Sequence, residues 1–273
     1  FDTDIPSFST QPKHNLTAQS TPFVGREHEL DELDKLLKDP ILRLITTLAP
    51  GGMGKTRLSL ELAQRAVDAE LYADGVYFVE LAPLSNSANI PNAIGDACGF
   101  QFLGEGTPKE QLISILAERQ LLLVVDNYEH LSDGFALVGD LLKNAPNIHI
   151  IATSRQRLSQ SGETLFHLSG MDFPTWETPD DALEYAAVKL FMNSAKRAQP
   201  SFELTGNNLD SVAKICKLVQ GMPLGIVLAA SWLGVLSLPE IAEEIQGSLD
   251  FLETDETELP ERQRSIRAVM DYS

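Results

Sequence analysis

The chain has 273 residues, 43% hydrophobic and 22% charged, enough apolar material for one large domain or two modest ones. This balance excludes disordered and fibrous classes, and two cysteines, Cys98 and Cys216, are too few for a disulfide framework or a four-ligand zinc site. Lys plus Arg number 21 and Asp plus Glu 39, so the net charge of −18 argues against direct nucleic-acid binding, which needs a basic surface.

Residues 1–21 are polar and rich in Pro, Ser and Thr, which reads as a linker or arm. Phe23-Val24-Gly25-Arg26-Glu27 then leads into leucines at 30, 33, 36 and 37, one apolar stripe on a short helix that Asp39-Pro40 ends. From there strands and helices alternate. Residues 42–48 predict a strand running into a glycine-rich turn, and Leu58, Leu62 and Ala66 mark the next helix. A second strand is expected over 76–81, with helices around 90–98 and 109–119. The unbroken apolar run 121–125 suits a strand buried on both faces. A helix over 131–143 and strands over 148–152 and 164–168 follow. Such alternation predicts an α/β fold, a parallel sheet covered by helices, over residues 22–170.

After Gly170 the pattern changes to helices without strands, predicting an all-α subdomain over 171–250. Thr178, Pro179 and Asp181 resemble a helix start, and Leu183, Ala187, Leu190 and Phe191 continue one face. Leu209, Val212, Ala213, Cys216 and Val219 give a second helix, with Cys216 in its core, and a third begins near Pro223. An acidic connector over 253–261 leads to a further helix over 262–270. The longest apolar stretch, 222–236, is interrupted by Ser231 and falls short of the roughly 18–20 residues a membrane span needs. With no charged-then-apolar leader, a cytoplasmic location and no membrane partner are expected; because the sequence starts at Phe1 rather than Met, a natural N-terminus outside it is expected too.

The residues that carry chemistry lie at strand ends. Ala49-Pro50-Gly51-Gly52-Met53-Gly54-Lys55-Thr56 matches the phosphate-loop pattern G-x-x-x-x-G-K-[ST] except at Ala49. Its glycines let the backbone curl so that N–H groups point inward. The helix that follows offers free N–H groups and a positive dipole end to a phosphate. Lys55 can reach β- and γ-phosphates, Thr56 can ligate Mg²⁺, and Arg57 extends the nucleotide-binding stretch. Asp126, ending the buried run, can hold Mg²⁺ opposite Thr56. Asn127 stands where many ATPases place a second acid, and an amide cannot take a proton. Glu129 is the nearest substitute and His130 a weaker one; the alternative for both is a solvated turn. Arg155, after the next buried strand, is placed to sense a γ-phosphate, with Arg157 a competing choice.

Val24-Gly25-Arg26-Glu27, the Gly-Gly-Met-Gly-Lys-Thr loop, Leu123-Val-Val-Asp126-Asn127, Ala152-Thr-Ser-Arg155 and Gly221-Met222-Pro223-Leu224 occur in that order. Together they resemble a STAND-class signalling ATPase with an NB-ARC-like P-loop module, of the kind found in large bacterial transcriptional regulators. The resemblance implies a three-layer P-loop NTPase sheet followed by a helical lid, with residues 251–273 a connector and the start of a truncated winged-helix domain. It also implies that Val24, Gly25 and Arg26 sit at the adenine and ribose, and that Pro223 packs on the base. From the residues alone, Gly221-Met222-Pro223 is only a junction between helices. The function so implied is an ATP- and ADP-binding regulatory switch with slow hydrolysis, the motor of a longer protein, self-associating in its ATP state. The alternatives are a nucleotide-binding scaffold without useful hydrolysis and a conventional P-loop ATPase.

Overall fold

The computed structural model describes residues 13–103, 105–174, 179–248 and 252. The expectations for residues 1–12, for a helix cap at Thr178 and for the connector and helix over 253–270 lie outside these residues.

Five strands form one sheet: β1 (Leu44–Leu48), β2 (Gly75–Glu80), β3 (Leu121–Asp126), β4 (His149–Ser154) and β5 (Glu163–His167). All neighbours pair in parallel, in the order β2-β3-β4-β1-β5. β4 therefore separates the strand that feeds the phosphate loop from the strand that ends in Asp126. Because the strands are parallel, their C-terminal ends share one edge. Every residue of β3 is buried, as its apolar run requires.

Helices cover both faces. α1 (Glu27–Leu37) and α2 (Lys55–Asp68) bury Leu30, Leu33, Leu58, Leu62 and Ala66 against Ile45, Leu122 and Val124. On the opposite face α3 (Ile90–Cys98), α4 (Pro108–Leu116) and α5 (Phe135–Asn144) bury Ile94, Leu112 and Leu141 against Leu121, Leu123 and Ile150. α4 starts one residue before expectation because Thr107 and Glu110 form a capping box with Pro108 in the first turn. The helix expected over 131–143 is shorter. Its first residues, 131–134, belong instead to a 3₁₀ segment, Tyr128–Gly134, broken at Leu131, where φ is −116° and ψ 44°. Buried Tyr128 explains the break: its hydroxyl donates to the Gly134 carbonyl, and its ring meets Phe135 edge-on at 5.2 Å.

The second unit has its own core. A 3₁₀ segment, Pro179–Glu184, precedes α6 (Ala186–Ala198), α7 (Gly206–Leu218), α8 (Pro223–Ser231) and α9 (Leu238–Gly247). Phe191, Val212, Cys216, Leu228 and Ile241 meet at its centre. Leu183 does not share that face; it is 54% exposed, because α6 begins only at Ala186 and the phase changes. α9 follows a 3₁₀ turn at Trp232–Gly234 and starts from a Ser237–Glu240 capping box, a fourth helix absent from the sequence reading.

The part of the arm that is described is not a free linker. The Lys13 carbonyl accepts from the Val76 N–H, His14 bridges in parallel to Val76, and the Asn15 side chain exchanges two hydrogen bonds with the backbone of Phe78. The strap thus runs along the outer edge of β2.

Direct contacts hold the two units together. The Leu224 N–H donates to the Gly52 carbonyl of the phosphate loop, and the Met171 N–H donates to the Gly221 carbonyl. Gly25, at φ +67°, lies so close to Ala186 that an added Cβ would come within 2.6 Å of the alanine Cβ. Among the described residues no helix is long and apolar enough to cross a membrane.

Candidate functional site

The loop between β1 and α2 is built from left-handed glycines, Gly52 at φ +75° and Gly54 at φ +85°. Gly51 and Ala49 do not take positive φ. The position of Ala49 therefore needs no glycine; it directly follows β1, buried, with its N–H donating to the Ser154 carbonyl. The Lys55 ammonium donates to the Ala49 carbonyl at 2.8 Å and the Pro50 carbonyl at 3.1 Å, closing the loop into a ring. Burial pushes the Lys55 pKa below its ordinary value, and Glu129 and Asp126 nearby oppose that shift while Arg155 adds to it.

Across the edge, two hydroxyls converge on one carboxylate oxygen. Thr56 Oγ1 donates to Asp126 Oδ1 at 2.7 Å and Thr153 Oγ1 to the same atom at 2.6 Å. Thr153, on the intervening strand β4, also accepts from the Asn127 N–H at 2.9 Å. Asn127 itself is left-handed, at φ +63°, which turns the chain abruptly after β3. That turn carries Glu129 back to the cavity wall, where its Oε1 lies 3.1 Å from Arg155 Nε. The two side chains are only 12% and 19% exposed, so Glu129 is not a solvated turn residue.

The remaining alternatives separate by position. Arg155 lines the cavity, whereas Arg157 is exposed outside it. His130 is exposed too, and its ring nitrogens face the Asn127 and Leu84 carbonyls at 2.7 and 3.1 Å, bracing the turn.

A cavity of about 600 Å³ opens over the loop. Val24, Arg26, Gly51, Gly52, Gly54, Lys55, Thr56, Arg57, Asp126, Glu129, Arg155 and Pro223 line it together. Three expected residues do not. Gly25 is taken up by the approach to Ala186, Pro50 offers its carbonyl to Lys55, and Met53 packs beneath the loop against the sheet core. Arg26 lines the wall but spends its guanidinium on Glu29 and on the carbonyls of Met53 and Ser169, at 2.8, 3.3 and 2.6 Å. It clamps the phosphate loop to the segment that leads into the helical unit. Burial lowers the Arg26 pKa, and Glu29 partly restores it.

The sequence reading missed the α6 side of the cavity. Leu190, Asn193, Ser194 and Arg197 recur at helical spacing and line it, with Phe23, Leu60, Met171, Leu224 and Val227. The signal was a mixed-polarity stripe beside the apolar one, which identifies a face as boundary only once its neighbour is known. The cavity lining combines the charged and hydroxylic groups Lys55, Thr56, Asp126, Glu129, Thr153 and Arg155 at the strand ends with the apolar side chains Phe23, Val24, Pro223 and Val227.

Thr56 and Asp126 are both hard oxygen donors within hydrogen-bond distance of each other, a pair that suits Mg²⁺. Among the described residues no cluster of three or more His, Cys, Asp or Glu could hold a metal unaided. An ion here would complete its shell with water and phosphate oxygens, as Mg²⁺ does in nucleotide sites.

No family model matches the chain. It is 34% identical over 232 residues to a Mycobacterium tuberculosis protein named "Putative HTH-type transcriptional regulator", covering 85% of this chain and 25% of that protein. It is 31% identical over 230 residues to an uncharacterized protein of the same species, covering 84% of this chain and 55% of that one. The chain thus spans about a quarter and about half of these relatives. Among solved structures it resembles a STAND protein with a tetratricopeptide repeat sensor from Pyrococcus horikoshii, with TM-score 0.51 and 17% identity over 85% of this chain and 33% of that one. It also resembles the Aeropyrum pernix ORC2 protein, solved as ADPNP–ADP complexes, with TM-score 0.53 and 14% identity over 84% of this chain and 70% of that one. The parallel sheet, its phosphate loop and these likenesses give the chain a three-layer P-loop NTPase fold, continued by an all-α unit.

Proposed function

We propose that the chain is an NB-ARC-like nucleotide switch: it binds ATP or ADP with Mg²⁺ between its two units and hydrolyses ATP slowly. The observation that carries this reading is a cavity lined at once by Lys55 and Thr56 of the phosphate loop and by Pro223 of the helical unit. A ligand spanning both can change how they sit, provided its affinity differs between the two arrangements.

In this reading the loop N–H groups and Lys55 hold the β- and γ-phosphates. Mg²⁺ at Thr56 and Asp126 would neutralise phosphate charge and polarise the γ-phosphorus. Val24 and Pro223 flank the base, with Arg26 setting the wall beside the sugar and Gly25 shaping the turn behind it. Arg155 faces the γ-phosphate, and Glu129 is the carboxylate placed to hold an attacking water, since Asn127 cannot accept its proton. That substitution points to turnover well below the roughly 1–10³ s⁻¹ of ordinary enzymes. The ORC2 complexes with ADPNP and ADP support the nucleotide, and the name of the 34% identical relative supports a role in a larger transcriptional regulator, for which a cytoplasmic location is part of the same proposal. Self-association in the ATP state and contacts with other domains of such a protein belong to the same proposal. A nucleotide-binding scaffold without hydrolysis is the second reading, favoured by Asn127 alone.

Thermal unfolding of nucleotide-free protein tests the proposal. Saturation to about 1,000 times Kd stabilises the native state by roughly 4 kcal/mol. Mg-ADP should therefore raise the melting temperature, and Lys55→Ala should abolish most of the rise. An unchanged transition at millimolar Mg-ADP refutes nucleotide binding; turnover of tens per second refutes the slow switch.

A further inference from the structure

We propose that Glu129 sets the preference of this site for a nucleoside diphosphate over a triphosphate, by occupying the arginine that a γ-phosphate requires. The inference rests on the nucleotide reading above and adds the residue that discriminates between nucleotide states.

The geometry is held from both sides. The Asn127 N–H bond to Thr153 Oγ1 ties the turn after β3 to the end of β4, and the Gln156 side-chain amide donates to the Glu129 carbonyl at 3.4 Å. Glu129 and Arg155 thus face each other across neighbouring strand ends, Oε1 to Nε 3.1 Å, both largely shielded from water. The second carboxylate oxygen, Oε2, is buried and makes no hydrogen bond. Its charge is answered by what lies near: Arg155 in contact, and the Lys55 ammonium within electrostatic range.

A triphosphate brings an additional anionic group to this end of the cavity. A γ-phosphate that draws the guanidinium toward itself pulls Arg155 off Glu129. A shielded carboxylate then loses its partner and stands beside a phosphate of like charge, and uncompensated charges of this kind are costly. A diphosphate carries no γ-group and leaves the ion pair whole. The penalty falls on one ligand only, which is what a state-selective site requires. Once Arg155 has moved, the carboxylate faces the cavity with both oxygens available as acceptors, so entry of the triphosphate itself would arm the water-holding group.

Calorimetry on the whole chain with Mg-ADP and with a non-hydrolysable β,γ-imido ATP analogue tests the proposal. Glu129→Gln keeps the side-chain shape and removes the charge. It should improve analogue affinity relative to ADP about tenfold, intermediate between exposed and fully buried pairs. Arg155→Ala should weaken the analogue selectively. In that background the gain from Glu129→Gln should shrink severalfold, because no arginine remains to be released. If the glutamine variant fails to fold, Glu129→Ser gives the same comparison. No relative gain in Glu129→Gln overturns the proposal. A gain undiminished in the Arg155→Ala background also overturns it, since charge repulsion alone would then explain the effect. Wild-type chain that binds neither nucleotide overturns the underlying nucleotide reading; wild-type chain and variants that all bind the two nucleotides equally overturn only this one.

Discussion

Substituting Gly221 by alanine probes how the helical unit is seated on the phosphate loop. Gly221 is at φ +66°, and its carbonyl accepts from the Met171 N–H at 2.8 Å. A Cβ there would overlap the Met171 carbonyl oxygen and lie 2.8 Å from the Met171 nitrogen. Both are backbone atoms, so no rotamer change relieves the overlap and the turn must lift from the connector. The left-handed conformation costs alanine about 1–2 kcal/mol. Loss of the hydrogen bond adds about 1 kcal/mol. Gly221→Ala should therefore cost about 3 kcal/mol, a large share of the 5–15 kcal/mol typical of a native protein. Gly162→Ala is the control: its φ is +78°, but nothing lies within 4 Å of its added Cβ, so only the conformational cost applies. Urea unfolding of both variants, followed by tryptophan fluorescence, gives the difference. Because Met222–Leu224 would shift with the turn, Mg-ADP affinity should fall in Gly221→Ala and not in Gly162→Ala. Equal destabilisation of the two variants would refute the argument that close backbone seating holds the units together.

Two further outcomes follow from named contacts. Pro223 lines the cavity, so Pro223→Ala should weaken Mg-ADP binding by about 1 kcal/mol through lost apolar contact, read by calorimetry; unchanged affinity would confine the ligand to the sheet unit. Burial, with Arg43 nearby, lowers the pKa of His149, whose ring lies edge-on to Tyr72 at 5.4 Å. Below the unfolded value of about 6.5 the unfolded chain takes up a proton that the native imidazole resists, so stability falls on acidification. His149→Phe should flatten the decline in melting temperature between about pH 7 and 5, and an unaltered slope would assign that decline to other groups.

The sheet was legible because strands buried on both faces are written as continuous apolar runs; 121–125 needed only Asp126 added to complete β3. The phosphate loop was legible because its glycines and Gly54-Lys55-Thr56 sit between strand and helix. The rest depends on distances along the chain that periodicity does not encode. Glu129 and Arg155 are 26 positions apart and meet only because β4 lies beside β3. Arg26 looks like a ligand group in its motif, yet its donors reach Met53 and Ser169, which the fold brings from two different segments. Gly221 reads as a turn glycine, whereas its structural demand comes from the Met171 backbone 50 residues earlier. Tyr128 was invisible as the cause of a shortened helix because its effect arises from where its hydroxyl finds an acceptor. Leu183 was misplaced for the opposite reason: an apolar residue in phase with a helix that has not yet begun.

The strap over β2 has a bearing on how the protein behaves in solution. β2 is the outermost strand on its side of the sheet, and a parallel edge offers free N–H and C=O groups to any passing strand. Here Val76 and Phe78 are already engaged, by the Lys13 carbonyl and by the Asn15 amide acting as donor and acceptor at once. A side chain with one carbonyl and one NH₂ imitates a peptide group without presenting a new edge of its own. The same segment runs on through residues 19–24 to form a wall of the cavity, where the Thr21 carbonyl receives Arg57. Edge protection and cavity wall are thus one covalent piece. A protein trimmed close to Phe23 would lose both together, and would aggregate through β2 for reasons that have nothing to do with the phosphate loop.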